Sequence, residues 1–374
     1  GRQRCLDEAA SASYRQVRRN GRPTLEAEFV FRQPDVTLTV CFGVEARTQG
    51  LFISATLRND SEKTLILNAL DLIHLDARRG GSLPLGKRPE QVTRFHMATW
   101  DTCVKLLSDG KGPQWSHYIG HLYNPAEGVA FYAGFETVHR TVAGVEVTYA
   151  RSAGVKSLRA WCAYTKHELA AGASIESEML HVGLGRDPYR SLEQWADALQ
   201  RRYRPRLNPK TTVGWLGWAW VDALSPREQV FEQVVRGNAE AIRRRLAGFD
   251  IDYIWMSQVN LKDMVPGNWL DFNRDHFPHG FGNTLKALRR LGFKPGLWIA
   301  PFWLFGKASR FMAENRDNVV RQKDGAPLMR RNVSGPPADA ARSGAGSAAA
   351  RPANASPISA PTARLVRSGV RRSA

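Results

Sequence analysis

The sequence predicts a chain with two folded parts, an N-terminal β-sandwich and a C-terminal α/β part, followed by a disordered tail. The first observation is size: the chain has 374 residues, 43% of them hydrophobic, which is more than one core usually serves. The second is a change of pattern, from short β-type runs in the first half to strands alternating with helices. The third is that aromatic residues stop before Ser334.

The β-sandwich is predicted over residues 23–186, after an N-terminal segment at 1–22. Short runs of β-branched and aromatic residues are separated there by Gly, Asn and Asp turns. Several such runs at this spacing favour two stacked antiparallel sheets over alternating strands and helices. The clearest runs lie at 36–42, 51–57, 64–75, 128–135, 145–150 and 174–182.

Residues 187–210 are predicted to form a connecting helix and a linker. Asp187 and Pro188 start the helix, since Pro is favoured in a first helical turn. Pro205 and Pro209 indicate the linker that follows.

Residues 211–330 are predicted to alternate strands at 213–218, 251–256 and 293–300 with helices that begin near 225, 282 and 308. Apolar strands separated by helices are typical of a parallel sheet, either a barrel or a doubly wound sheet. The glycines form neither a G-x-G-x-x-G turn nor a Walker loop, so nucleotide binding is not indicated.

Tryptophan recurs at the predicted strand ends. Flat aromatic faces at the carboxyl ends of barrel strands suit sugar rings, although single tryptophans also commonly fill cores. The residues concerned are Trp215, Trp218, Trp220, Trp255, Trp298 and Trp303.

Four segments resemble the α-galactosidases of glycoside hydrolase family 36. Residues 214–220 (GWLGWAW) are similar to the family's first barrel strand, and 249–255 (FDIDYIW) to its second. Residues 268–280, with NWLDFN and HFPHG, resemble the following loop, and 291–302 (LGFKPGLWIAPF) match the third strand most specifically. The resemblance covers roughly 23–325 and implies an incomplete (β/α)₈ TIM barrel after the β-sandwich.

What the resemblance implies is hydrolysis of terminal α-linked sugars, galactosides by default, by a retaining mechanism without a cofactor. Such enzymes place two carboxylates about 5–5.5 Å apart. The family's two catalytic aspartates come from later barrel strands, so the catalytic residues are unknown here. A transglycosylating relative similar to the raffinose synthases, and a non-catalytic carbohydrate-binding remnant, are the alternatives.

The resemblance also implies the substrate-binding residues. Trp218 and Trp298 match sugar-contacting tryptophans of the family, and Trp255 lies in the second strand. Ser257 and Gln258 replace the family's usual Asp-Asp pair, which leaves hydroxyl and amide groups to bind sugar hydroxyls and puts galactose specificity in doubt.

Other chemistry-bearing residues have simpler explanations. Asp222, Asp263 and Asp271 follow the first two strands and could act as catalytic groups, but loop and cap positions explain them better. His117 and His121 have the spacing of a helical metal site, yet they lie in a β-rich region without the Glu of H-E-x-x-H. No metal is expected.

The tail at 331–374 is rich in Ala, Ser, Pro, Gly and Arg and is expected to be disordered. A complete barrel takes about 250 residues, so the chain is expected to be truncated and inactive. We expect the tail to result from a shifted reading frame; a real basic tail on a shortened protein is the alternative. A homo-oligomer is compatible with the full-length form.

The net charge of +18 raises the question of nucleic-acid binding. The arginines of the chain are scattered among acids without interleaved aromatics, so neither nucleic acid nor membrane is an expected partner. Cys5, Cys41, Cys103 and Cys162 form no C-x-x-C pair, and the start shows no signal pattern. Since residue 1 is Gly and not Met, loss of an upstream signal peptide is the alternative. A cytoplasmic protein with free thiols is the expectation, and an oligosaccharide or α-glycoside is its expected partner.

Overall fold

The computed structural model describes residues 4–19, 22–45, 50–81, 83, 85–97, 102–151, 154–216, 230–256, 261–262, 271–299, 313–315 and 317. Contacts divide these into two compact units, one up to Trp195 and one from Ala196. The predicted tail and most of the predicted helix at 308–315 lie outside the described residues. The domain boundaries given above stay predictions.

The first unit is mostly β-sheet. One antiparallel sheet of ten strands has the order β1-β2-β3-β4-β14-β10-β9-β6-β7, with β13 also paired to β4, and a second antiparallel sheet has the order β5-β12-β11-β8. The first six strands are β1 (Ser11–Arg19), β2 (Arg22–Phe31), β3 (Val36–Glu45), β4 (Gly50–Asn59), β5 (Leu65–Asp76) and β6 (Thr93–His96). The others are β7 (Cys103–Leu106), β8 (Pro113–His117), β9 (Ile119–Asn124), β10 (Val129–Phe135), β11 (Val142–Ala150), β12 (Gly154–Leu169), β13 (Ser174–Glu176) and β14 (Leu180–Gly185).

The two sheets of the first unit share one hydrophobic core. Leu122 and Phe131 from the larger sheet are buried in the same cluster as Val145 and Leu158 from the smaller one. Alternation along a strand sends every second side chain to this core, which is why short alternating runs predicted the strands correctly.

Strand β1 was not expected from the sequence. It pairs along its whole length with β2, but its side chains are almost all exposed. Arg15 and Arg19 donate from β1 to the buried Glu26 carboxylate on β2, and these hydrogen bonds hold the pKa of Glu26 below its usual range. Charge pairing replaces the apolar alternation that reveals other strands.

The run at 174–182, expected as one strand, is two strands separated at Ser177–Met179. Glu178 turns its side chain into the interior, where its carboxylate accepts the backbone N–H groups of Arg140 and Thr141. Burial raises the pKa of Glu178, but these bonds and one from Thr137 outweigh it, so the pKa lies below its ordinary value. These hydrogen bonds compensate for the cost of burying the carboxylate at the interruption between the two strands.

Helix α1 (Pro188–Tyr203) confirms the expected connecting helix. Asp187 Oδ1 caps it by accepting the N–H groups of Tyr189 and Arg190 at 2.8 and 3.2 Å. Its first turn is fastened to β9, where His121 Nε2 lies 2.7 Å from Ser191 Oγ, with both side chains buried.

The second unit contains a three-stranded parallel sheet in the order β15-β16-β17. Its core joins Val235 and Leu288 from the helices to Ile254 and Met256 from the central strand. None of the described helices has the length and apolar character needed to cross a membrane. The elements are β15 (Gly214–Leu216), α2 (Phe231–Arg245), β16 (Tyr253–Met256), α3 (Phe281–Arg290) and β17 (Lys294–Leu297).

His121 is expected to make the first unit sensitive to acid. Burial lowers its pKa from 6.5 to about 4, so the unfolded chain binds a proton near pH 5 that the folded chain does not. The free energy of unfolding should therefore be highest above pH 6.5 and fall by about 3 kcal/mol as the pH drops to 4. Urea unfolding across this range measures the slope.

In His121→Gln this part of the pH slope should disappear. The matched control is His139→Gln, which removes an exposed imidazole from the same unit and leaves the buried one in place. Equal slopes in all three proteins would contradict the assignment.

Candidate functional site

The parallel sheet brings three strand ends to one edge. Pairing places Leu216 beside Trp255 and Trp255 beside Gly296, and then Met256 beside Leu297. Because the strands are parallel, all three end at the same edge of the sheet. We name it the carboxyl edge, because the C-terminal residues of the strands, Leu216, Met256 and Leu297, lie there. In parallel α/β folds this edge carries the ligand sites.

The two faces of this sheet differ. Ile254 and Met256 are completely buried in the core formed with α2 and α3, and Trp215, level with Ile254, packs against that core too. Residues one position away point to the opposite face. This opposite face, which we name the Trp255 face, carries Leu216, Trp255 and Gly296.

A glycine shapes the Trp255 face. A Cβ atom at Gly296 would lie 2.8 Å from Cδ1 of Trp255 and 3.3 Å from its Cβ, so the indole packs directly over the Gly296 backbone. Two residues earlier on each of the two strands, Lys294 Nζ lies 5.4 Å from the centre of the Tyr253 ring. The indole position therefore depends on the absence of a side chain at 296.

Trp298 continues the pattern beyond β17. Its backbone N–H donates to the Met256 carbonyl at 3.1 Å, which extends the pairing between β16 and β17 past Leu297. The Trp298 side chain is half-buried. Alternation puts Trp298 on the Trp255 face, at the carboxyl edge. Two of the expected substrate residues, Trp255 and Trp298, are thus brought to one face.

The remaining expected substrate residues, Trp218, Ser257 and Gln258, lie outside the described residues, as do Asp222 and Asp263. Leu216 and Met256, which directly precede two of these segments in the sequence, both lie at the carboxyl edge. Asp271 is described and exposed, and its carbonyl accepts the Lys262 N–H at 3.1 Å in the segment that follows β16.

The opposite edge of the sheet carries an ionic cluster. Lys210 Nζ lies 3.1 Å from Asp252 and 3.3 Å from Asp250, just before β16, and these hydrogen bonds raise the pKa of Lys210. All three side chains precede the strands they adjoin, so they lie at the edge opposite the carboxyl edge. We assign this cluster to fastening the linker.

A contact between Glu232 and His279 was not expected from the sequence. Glu232, buried in the first turn of α2, lies 3.3 Å from both the backbone nitrogen and Nδ1 of His279. The pair holds the 273–280 segment against α2. An acid in a first helical turn was its only sequence signal.

The described residues contain no cluster of three His, Cys, Asp or Glu side chains that could hold a metal. His117 and His121 belong to β8 and β9, which lie in different sheets. Burial lowers the pKa of both imidazoles, and His121 already contacts Ser191. The four cysteines are free thiols, with Cys41 and Cys162 buried.

Comparison with known proteins finds its matches among solved structures. No family model and no curated protein matches the sequence. The α-galactosidase from Lactobacillus brevis matches with a TM-score of 0.50 and 16% identity, over 88% of this chain and 44% of that chain. The family 36 α-galactosidase AgaA A355E from Geobacillus stearothermophilus, in complex with 1-deoxygalactonojirimycin, matches with a TM-score of 0.52 and 13% identity, over 87% and 47%.

The chain therefore shares the fold of the matching part of these family 36 enzymes. The galactosidase domain of AgaSK agrees, with a TM-score of 0.51 and 14% identity over 87% of this chain and 47% of that domain. The family 36 fold thus extends over most of this chain, while the chain spans under half the length of the structures it matches. At these identities the similarity establishes the fold and not the activity.

Gly296→Ala is expected to displace the Trp255 indole. A methyl group there meets both the ring and the Trp255 main chain, so the second unit should lose about 1–3 kcal/mol of unfolding free energy. Gly237→Ala is the control, since it lies inside α2 with no atom near its added Cβ and should be neutral or stabilising. Equal effects of the two substitutions on urea unfolding would refute this packing.

Proposed function

We propose that this chain is part of a family 36-type glycoside hydrolase acting on oligosaccharides that end in an α-linked sugar, with α-galactosides as the default substrate. The similarity of fold to α-galactosidases over nearly nine-tenths of the chain supports the proposal. One matching AgaA variant, A355E D548N, is in complex with raffinose. Since the chain spans under half of those structures, hydrolysis is proposed for the whole protein to which it corresponds.

In this proposal the two sheets of the first unit are the β-sandwich, and β15, β16 and β17 are the first three strands of a (β/α)₈ barrel. Sequential order, parallel pairing and helices on one face support a barrel. The Trp255 face would then be the barrel interior, because barrel helices lie outside.

The substrate would bind at the carboxyl edge. Trp255 and Trp298 supply aromatic surface on one face, and flat rings of this kind pack against the apolar faces of sugars. Trp218, Ser257 and Gln258 would join them from the adjacent strand ends, with the hydroxyl and amide accepting and donating hydrogen bonds to sugar hydroxyls.

The chemistry would be displacement with retention, using two carboxylates about 5–5.5 Å apart. None of the described acids is assigned to this pair, and no cofactor is required. A transglycosylating enzyme would use the same residues and would differ in passing the sugar to another saccharide instead of water.

A panel of nitrophenyl α- and β-glycosides tests the reaction. We expect the 374-residue chain to release no nitrophenol and a version continued in the restored frame beyond residue 333 to prefer the α-galactoside. Preference of the continued protein for β-glycosides would refute the proposal. Robust turnover by the 374-residue chain would instead give Asp222, Asp263 or Asp271 a catalytic role.

Tryptophan fluorescence tests the binding residues in the 374-residue chain itself. Raffinose should change the emission, and Trp298→Ala should weaken the titration by about fivefold, because loss of an aromatic contact removes roughly 1 kcal/mol. Trp115→Ala is the control, since Trp115 is also half-buried but lies on β8 of the first unit. A titration that is unchanged in Trp298→Ala would contradict the role of Trp298.

A further inference from the structure

The first unit contains an open cavity, lined by both polar and apolar side chains, that the proposed hydrolase reaction does not use. Its volume is about 690 Å³, within the range of small-ligand pockets, and its walls come from β4 and β13 of the larger sheet and β11 and β12 of the smaller one. The side chains that matter for recognition are Thr56, Arg140, Thr141, Tyr164, His167 and Glu176.

An irregularity in β12 forms one wall of this cavity. Between Ala163 and His167 the pairing with β5 shifts, so that three residues of β12 stand opposite Asn68 alone. Thr165 and Lys166 have φ values of 49° and 62°, a left-handed conformation that is unfavourable for a β-branched residue such as Thr165. Bulges of this kind re-aim side chains and concentrate at binding sites.

The bulge places two rings in the cavity wall. The Tyr164 and His167 ring centres lie 6.3 Å apart. The Tyr164 hydroxyl donates to the Glu176 carbonyl at 2.6 Å, and burial raises the pKa of this hydroxyl, which keeps it protonated. The ring is therefore held in one position, half-buried where it packs against the hydrophobic core and lines the cavity.

The charges in the wall cancel. Arg140 Nη2 lies 2.5 Å from Glu176 Oε2, and both side chains remain partly exposed to the cavity. A guanidinium neutralised by a carboxylate is a poor phosphate site, because a bound anion would have to compete with Glu176. The pair still offers planar donors and acceptors that match adjacent hydroxyl groups on a neutral ligand.

The segment that carries Arg140 is fixed before any ligand arrives. The backbone N–H groups of Arg140 and Thr141 both donate to the buried Glu178 carboxylate. Preorganised groups lose less conformational entropy on binding than mobile ones. The backbone at Arg140 and Thr141 is consequently held against the core of the unit.

We propose that this cavity is an accessory binding site for a neutral oligosaccharide, with the Tyr164 ring as the stacking surface and the Arg140–Glu176 pair as the hydroxyl-binding group. It lies entirely in the first unit, and its argument does not depend on the reaction proposed above. Such a site would hold a saccharide without cleaving it.

Fluorine NMR of the full chain labelled with 3-fluorotyrosine gives a local readout. The Tyr164 resonance is the one missing from Tyr164→Phe. The probes are raffinose, melibiose and inorganic phosphate. We expect both saccharides to shift the Tyr164 resonance in a saturable manner and phosphate to leave it unchanged.

Glu176→Gln should weaken the saccharide titration by about tenfold, the factor that corresponds to one hydrogen bond to a charged group. Glu193→Gln is the matched control, because it breaks an exposed pair with Arg190 on α1, 3.0 Å apart, in the same unit. That variant should titrate like the original chain.

The proposal is overturned if phosphate alone shifts the resonance, if no probe does, or if Glu193→Gln has the same effect as Glu176→Gln. Trp298→Ala separates the two proposals: it should leave the Tyr164 titration intact, whereas loss of that titration would overturn the accessory site. Failure of the nitrophenyl glycoside panel would refute the hydrolase without altering the Tyr164 result.

Discussion

Burial of Ile254 and Met256 beneath α2 and α3 is the constraint on which the parallel sheet depends. Both side chains are completely removed from solvent, and moving the strand by one residue would expose both and bury Tyr253 and Trp255 in their place. The same constraint sends Trp255 to the opposite face. Hydrophobic burial on one side therefore positions an aromatic ring on the other.

Parallel pairing then extends this result from one strand to three. Leu216, Trp255 and Gly296 are level across the sheet, and Trp298 follows through its bond to the Met256 carbonyl. Gly296 leaves room for the indole of its neighbour. The proposed sugar-binding surface of Trp255 and Trp298 thus needs no special local structure. It requires only regular alternation along the strands and the absence of a side chain at Gly296.

In the first unit, hydrogen bonds to buried polar groups have a comparable role. Glu178 interrupts a strand to accept two backbone N–H groups, and His121 lies against Ser191 at the start of α1. Each group would destabilise the core if it lost its partner. The Glu178 bonds also fix the Arg140 segment, which links the stability of the unit to the shape of its cavity.

Local sequence patterns were enough to predict several strands, the connecting helix and the family resemblance. Alternating apolar residues identified β3, β4 and β10, and Asp187 with Pro188 identified the start of α1, because these signals are local. Trp255 and Trp298 were also recognised from the sequence alone. Three further facts became visible only in three dimensions: the two rings share a face, β1 joins a sheet through ion pairs with Glu26, and Arg140, Tyr164 and Glu176 line one cavity. These residues are distant in the chain and come together through strand register and sheet packing, which depend on contacts that no local pattern contains.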